Sequence, residues 1–221
     1  MNVLSATTVT THGVSTPVEL LVLLTLLTVL PGVLLAVTGF TRILIVLGFV
    51  RNALGTPTTP PNQILVGIAF FLTLFVMAPT LRQVDTQAVK PYMAHTIGQK
   101  QALERASEPL RTFMFKQTRT TDLALFVDLS HAKRPRTRAD VPTHVLVPAF
   151  IISELKTAFQ IGFLIYLPFL IIDMVVASTL TSMGMMMLPP ALISLPFKVL
   201  LFVLVDGWHL VVQSLVSSFH A

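Results

Sequence analysis

The chain contains no cysteine. That absence excludes a disulfide framework, a thiolate metal site and a cysteine nucleophile together. Charge is scarce as well: Asp, Glu, Lys and Arg make up 11% of the 221 residues, against roughly 25% in an ordinary soluble domain. No HExxH, GxSxG or P-loop string occurs, so the familiar metalloprotease, serine-hydrolase and nucleotide sites have no footing in the sequence. No metal or cofactor is implied. Met1–Pro17 holds neither Lys nor Arg and so lacks the basic opening of a secretory signal.

What is present is apolar. Hydrophobic residues make up 53% of the chain and mean hydropathy is +0.79, which points to a membrane-associated protein. The formal charge of +5 does not signal a nucleic-acid binder, because it is confined to one segment. Between Arg82 and Pro142 there are 11 basic and 6 acidic residues, and the rest of the chain holds 4 of each. The apolar remainder keeps only Glu19, Arg42, Arg51, Glu154, Lys156, Asp173, Lys198 and Asp206. A charge in hydrocarbon costs roughly 2.5 kcal/mol or more, so each of these needs a partner, an interface or a function.

The pattern predicts an all-α protein of membrane-associated helical hairpins with a small helical extramembrane domain. A polar tail, 1–17, precedes N-terminal hydrophobic helices at 18–81, an extramembrane domain at 82–144 and C-terminal hydrophobic helices at 145–221. Val18 to Val37 is nearly continuous Leu and Val, long enough to cross a bilayer core of about 30 Å. Ile43 to Val50 and Gln63 to Leu81 follow, separated by the Gly- and Pro-rich turn from Arg51 to Pro61. In Val145 to Thr181, Pro168 is expected to divide the run. Ser153, Lys156, Thr157 and Gln160 share one face of its first half, with Glu154 at the edge. Within the central segment Leu110, Phe113, Met114 and Gln117 have helical spacing, with Ser107 as the expected N-cap and Pro109 in the first turn. Leu123, Phe126 and Val127 form a second short stripe, and His131 to Asp140 reads as a solvated basic loop.

Between the last two apolar regions lies Met183-Gly184-Met185-Met186-Met187-Leu188-Pro189-Pro190, a methionine-rich loop over 183–190. Methionine is unbranched and polarizable, so a ring of such side chains can close on an irregular opening and yield to a passing chain. From the residues alone, a buried turn and a pore seal both fit. Glu154 and Lys198 carry opposite charge on segments able to pack together, within one chain or between two. Arg42, Asp173 and Asp206 are further intramembrane polar groups with no partner assigned. The two aspartates raise an intramembrane aspartyl protease, but Val-Asp-Gly-Trp around Asp206 lacks the glycine-flanked motif of that class. An ion-coupled transporter using Arg42, Glu154 and Asp173 as a relay is the other alternative, disfavoured by the absence of an evident internal repeat.

Three strings are more specific than hydropathy. They are Phe40-Thr41-Arg42-Ile43 with Arg51-Asn52-Ala53-Leu54-Gly55-Thr56-Pro57 and Pro60-Pro61-Asn62-Gln63; Ser153 through Phe163; and Gly184 through Pro190 to Leu195-Pro196-Phe197-Lys198 and Val205-Asp206-Gly207-Trp208. Together they resemble the FliP family of flagellar export-gate proteins, called SctR in injectisome type III secretion, with the flagellar branch favoured. The resemblance implies a non-enzymatic, pore-forming subunit of the type III export apparatus in the bacterial inner membrane and flagellar basal body. It implies a pentameric homo-oligomer with FliQ and FliR, adjacent to FlhB and the basal-body membrane ring, passing unfolded export substrates. It further implies that Met183, Met185, Met186 and Met187 form a methionine gasket and that Glu154 and Lys198 pair between subunits. The central domain is then periplasmic, whereas its excess of basic residues alone would place it in the cytoplasm.

Overall fold

The apolar runs fold into helices whose ends coincide with the glycines and prolines between them. In the computed structural model, residues 16–130, 135, 137–185 and 187–220 are described. The expected basic loop at His131 to Asp140, most of the polar tail and Met186 lie partly or wholly outside them. Two units divide at Leu34. The first carries α1, Thr16–Ala36, a 21-residue run rich in Leu and Val that is about 30 Å long at 1.5 Å per residue.

The second unit begins with α2, Phe40–Ala53. Leu54 and Gly55 end α2 in a Schellman turn: Gly55, at φ +76°, donates to the Asn52 carbonyl and Thr56 to that of Arg51, which satisfies carbonyls left over at the helix terminus. The Arg51 guanidinium then reaches across the loop to Asn62 Oδ1, 2.5 Å away, at the first residue of α3, Asn62–Val84. α3 does not stop at the expected boundary near residue 82. It continues through a π-helical turn, Asp85–Val89, into α4, Lys90–Met93.

The central segment forms α5, Gln99–Gln117, and α6, Thr120–Leu129. The spacing of Leu110, Phe113 and Met114 was a sound guide to the inner face of α5, but the expected N-cap at Ser107 is corrected. The helix starts two turns earlier and carries Pro109 in its interior, with the ring buried. Its first residues are polar and leave no apolar stripe to read. In α6, Leu123, Phe126 and Val127 pack against the core.

The longest element is α7, Thr143–Ser182, at 40 residues. Pro168 does not divide it; the proline costs one backbone hydrogen bond, and the helix runs on through it. At 1.5 Å per residue α7 is about 60 Å long, twice a bilayer core, so a single upright crossing cannot use all of it. α8, Pro190–Leu204, returns along α7 and is followed by α9, Gly207–Ser217, after a bend of 65°. Asn62–Met93 and Thr143–Ser182 are each long and apolar enough to cross a membrane, and the bent α8–α9 pair passes the same test when its two helices are taken together.

The core forms where α2 crosses α7, with α3, α5 and α6 packed around them. Ile43, Val46, Leu47 and Val50 of α2 meet Leu146, Phe150 and Ala158 of α7 with almost no solvent exposure. Close approach depends on Gly162, where a Cβ would stand 2.5 Å from the Phe49 ring. Phe49 also meets Phe159 edge to face, at 5.3 Å between centroids.

Candidate functional site: buried charges and the methionine turn

Arg42 lies on the inner face of α2 with only 2% of its surface exposed, so every guanidinium donor requires an acceptor. All five find one. Nε donates to Glu154 Oε2 at 3.0 Å, and one Nη2 hydrogen goes to Glu154 Oε1. The other Nη2 hydrogen goes to Gln117 Oε1 at 2.9 Å, and Nη1 donates to the carbonyl and the hydroxyl oxygen of Ser218, each at 3.0 Å. The fork on Glu154 is bidentate, the geometry in which an Arg–carboxylate pair is strongest. Phe219 places its ring 4.0 Å from the guanidinium carbon, adding a cation–π contact. Its carbonyl accepts from Gln117 Nε2 at 3.0 Å. The ring fits because residue 39 is glycine: a Cβ there would stand 2.6 Å from it. One guanidinium thus joins α2, the end of α5, α7 and the residues after α9.

Glu154 is 0% exposed and fully engaged by Arg42. Within one chain Glu154 therefore does not pair with Lys198; the pair that the resemblance implies is one between subunits. Lys198, 3% exposed, donates instead to Asp173 Oδ2 at 2.5 Å, while Ser194 Oγ donates to Asp173 Oδ1 at 2.5 Å. Asp173 and Lys198 fasten α8 to α7. The lysine ammonium also stands beside Gly55, 3.9 Å from where a Cβ would be, at the C-terminal end of α2 where the helix dipole favours a cation. A neighbouring subunit would have to dismantle both intrachain pairs, and open a closed α2–α7 contact, to join Glu154 to Lys198.

The polar face expected on α7 is a seat for α6. Ser153 Oγ accepts from the Arg119 backbone N–H at 3.1 Å and donates to Asp122 Oδ2 at 2.7 Å. The Arg119 guanidinium reaches Gln160 Oε1, and the Thr157 hydroxyl turns back to the Ser153 carbonyl at 2.9 Å. Lys156, on the same face, is exposed. Ser218 and Phe219 were not singled out from the sequence, and Gln117 was read only as part of a helical stripe. Only the crossing of the helices identifies what they touch.

The methionine turn is built by helix termination. At the end of α7 Gly184, φ +73°, donates to the Thr181 carbonyl at 3.0 Å and Met185 to that of Leu180 at 2.9 Å, a second Schellman turn. Pro189 and Pro190 open α8, where a missing N–H costs nothing. The side chains between are not buried: Met183 and Met185 are exposed and Met187 is 98% exposed. Asp206 is also exposed. It forms the α8–α9 bend in the left-handed region, φ +51°, which Asp tolerates better than most residues. Gly207 follows because a Cβ there would lie 2.3 Å from the Phe202 ring. Among the described residues no group of three or more His, Asp or Glu is placed to hold a metal ion.

Comparison with known proteins bears on this arrangement. The model of the FliP family matches residues 23–215. The chain belongs to the FliP family. A flagellar biosynthetic protein FliP of Bacillus subtilis is 58% identical over 208 residues, 94% of each chain. That of Pectobacterium carotovorum is 58% identical over 204 residues, covering 92% of this chain and 79% of the relative. The Aquifex aeolicus protein of the same name is 48% identical over 206 residues, 91% of this chain and 85% of its own. The match takes in α2 to α8, with the buried Arg42–Glu154 pair and the methionine turn, and the relatives carry the flagellar name. This FliP-family chain therefore falls on the flagellar side of the resemblance noted in its motifs.

Proposed function

We propose that this chain is a membrane subunit of the flagellar protein-export apparatus, in which several copies surround a passage closed by the methionine turn. Family membership supports the role in flagellum biogenesis. The observation that carries the finer reading is the turn itself. Met183, Met185 and Met187 are held between a helix terminus on one side and two prolines on the other, and all three stand exposed. Such a turn loses little when the chain is alone and gains when equivalent turns meet around an axis, where thioethers can fill an irregular opening and part for an unfolded substrate. FliQ and FliR complete the assembly in this reading, FlhB and the basal-body ring adjoin it, and the central helices α4 to α6 face the periplasm. The subunit conducts and seals; it carries out no chemical step.

The test replaces Met185, Met186 and Met187 by alanine and measures two quantities: recovery of the complex with FliQ and FliR, and leak of a small solute through cells expressing it. Intact assembly with raised leak is the expected result. Loss of assembly, or an assembled complex as tight as the parent, would refute the seal.

A further inference from the structure

The hydrophobic portion from Leu35 to Leu81 and from Val145 onward contains seven charged residues: Arg42, Arg51, Glu154, Lys156, Asp173, Lys198 and Asp206. Five are accounted for inside the chain. Arg42 joins Glu154, Lys198 joins Asp173, and Arg51 holds Asn62. The two left over have opposite sign. Neither the Lys156 ammonium nor the Asp206 carboxylate makes an ion pair or side-chain hydrogen bond among the described residues, and Asp206 caps no backbone N–H. Both are exposed, and both are set in exposed apolar surface. Ile152, Phe159 and Phe163 share the helical stripe of Lys156, while Val203, Leu204 and Trp208 surround Asp206.

We infer that Lys156 of one copy of this chain pairs with Asp206 of the next, and that the two apolar patches around them form the contact between copies. The chain cannot satisfy the pair by itself. α8 runs antiparallel to α7 in a register fixed by Asp173 and Lys198, and Val205 accordingly lines the same groove as Ile165. Ile165 lies nine positions beyond Lys156, roughly 14 Å along the helix at 1.5 Å per residue, too far for a lysine to span. A second copy supplies what is missing on each side: a cation within an apolar patch meets an anion within another, which gives partner choice by charge complementarity. Because the two patches differ, the contact is head-to-tail and can repeat from copy to copy around a ring. The inference rests on the reading that copies of this chain stand side by side, and it names the side chains that join them.

The absence of cysteine provides the test. Two copies are co-expressed with FliQ and FliR, one carrying Lys156→Cys and the other Val205→Cys, a position that leaves the Asp206 bend untouched. The expected result is a disulfide-linked dimer under mild oxidation, absent when either variant is expressed alone. Charge coupling is read in parallel from the oligomer-to-monomer ratio of Lys156→Met, Asp206→Asn and the double variant. Asn keeps the left-handed bend, so a fall does not report a broken hinge. Each single change is expected to lower the ratio at least fivefold, and the double change no further than either alone. An oligomer that forms without the cross-link, or losses that multiply in the double variant, overturns the pair while leaving side-by-side assembly intact. Chains that stay monomeric with their partners present overturn both.

Discussion

Replacing Arg42 by methionine removes five donors from a closed interior and leaves Glu154 without its cation. Breaking a buried ion pair by deleting one partner costs about 3 to 5 kcal/mol, because the surviving charge remains desolvated. Here the loss also strips Gln117 Oε1 and both Ser218 acceptors, so the upper end of that range applies. For a chain of this size each kcal/mol moves the unfolding midpoint by about 2 to 4 °C, and a fall on the order of 10 °C is expected for purified protein in detergent. Glu154→Met should cost a similar amount, since the guanidinium is then buried against neutral acceptors alone. The double variant decides the matter. With both charges gone and two flexible apolar side chains in their place, the desolvation term disappears, and such exchanges are often neutral or stabilising by about 1 to 4 kcal/mol. The double variant should therefore be no less stable than the better single one. A double variant that loses the sum of the two single losses would show that the two residues act independently, against the fork described here.

Three further outcomes follow from the packing. Ser153→Ala removes one acceptor and one donor from the α6 seat, and loosens α6 by about 1 to 3 kcal/mol; amide exchange over Thr120–Leu129 should quicken while α2 is unchanged. Gly162→Ala drives a methyl against the Phe49 ring and should destabilise by about 1 to 3 kcal/mol, with partial rescue by Phe49→Leu. Asp206→Gly should preserve the α8–α9 bend while Asp206→Val, which meets the left-handed backbone with a branched side chain, should lower the yield of folded protein in detergent; equal yields would contradict the strained bend.

The helices were legible where composition alone decides them. Apolar runs of twenty residues bounded by Gly-Thr-Pro or Met-Gly-Met strings leave little choice, and both Schellman glycines mark their helix ends as read. The reading failed where tertiary packing overrules a local rule. Pro109 and Pro168 look like boundaries, but one ring is buried against the core and the other lies within a helix held on both sides of it by the α7 packing. The pairing within one chain was not legible for a different reason. Opposite signs on Glu154 and Lys198 were visible, yet sign carries no direction, and the crossing of α2 over α7 brings Arg42 to Glu154 while the antiparallel return of α8 brings Lys198 to Asp173. The exposed methionines were legible as a loop, because a glycine and two prolines cannot be mistaken for a core stripe.

The Arg42 fork also imposes an order in time. Glu154 lies 112 residues further along the chain, and Ser218 lies 176. At about 5 to 20 residues per second, ribosomal synthesis delivers Ser218 roughly 10 to 35 s after Arg42. For roughly the first 6 to 22 s of that interval, until Glu154 is made, the guanidinium is a bare cation on a helix destined for an apolar interior. α2 can insert early but cannot lock, and the nascent chain stays open to other helices that offer an acceptor. Its interior closes last at the place where its first half and its final turn meet.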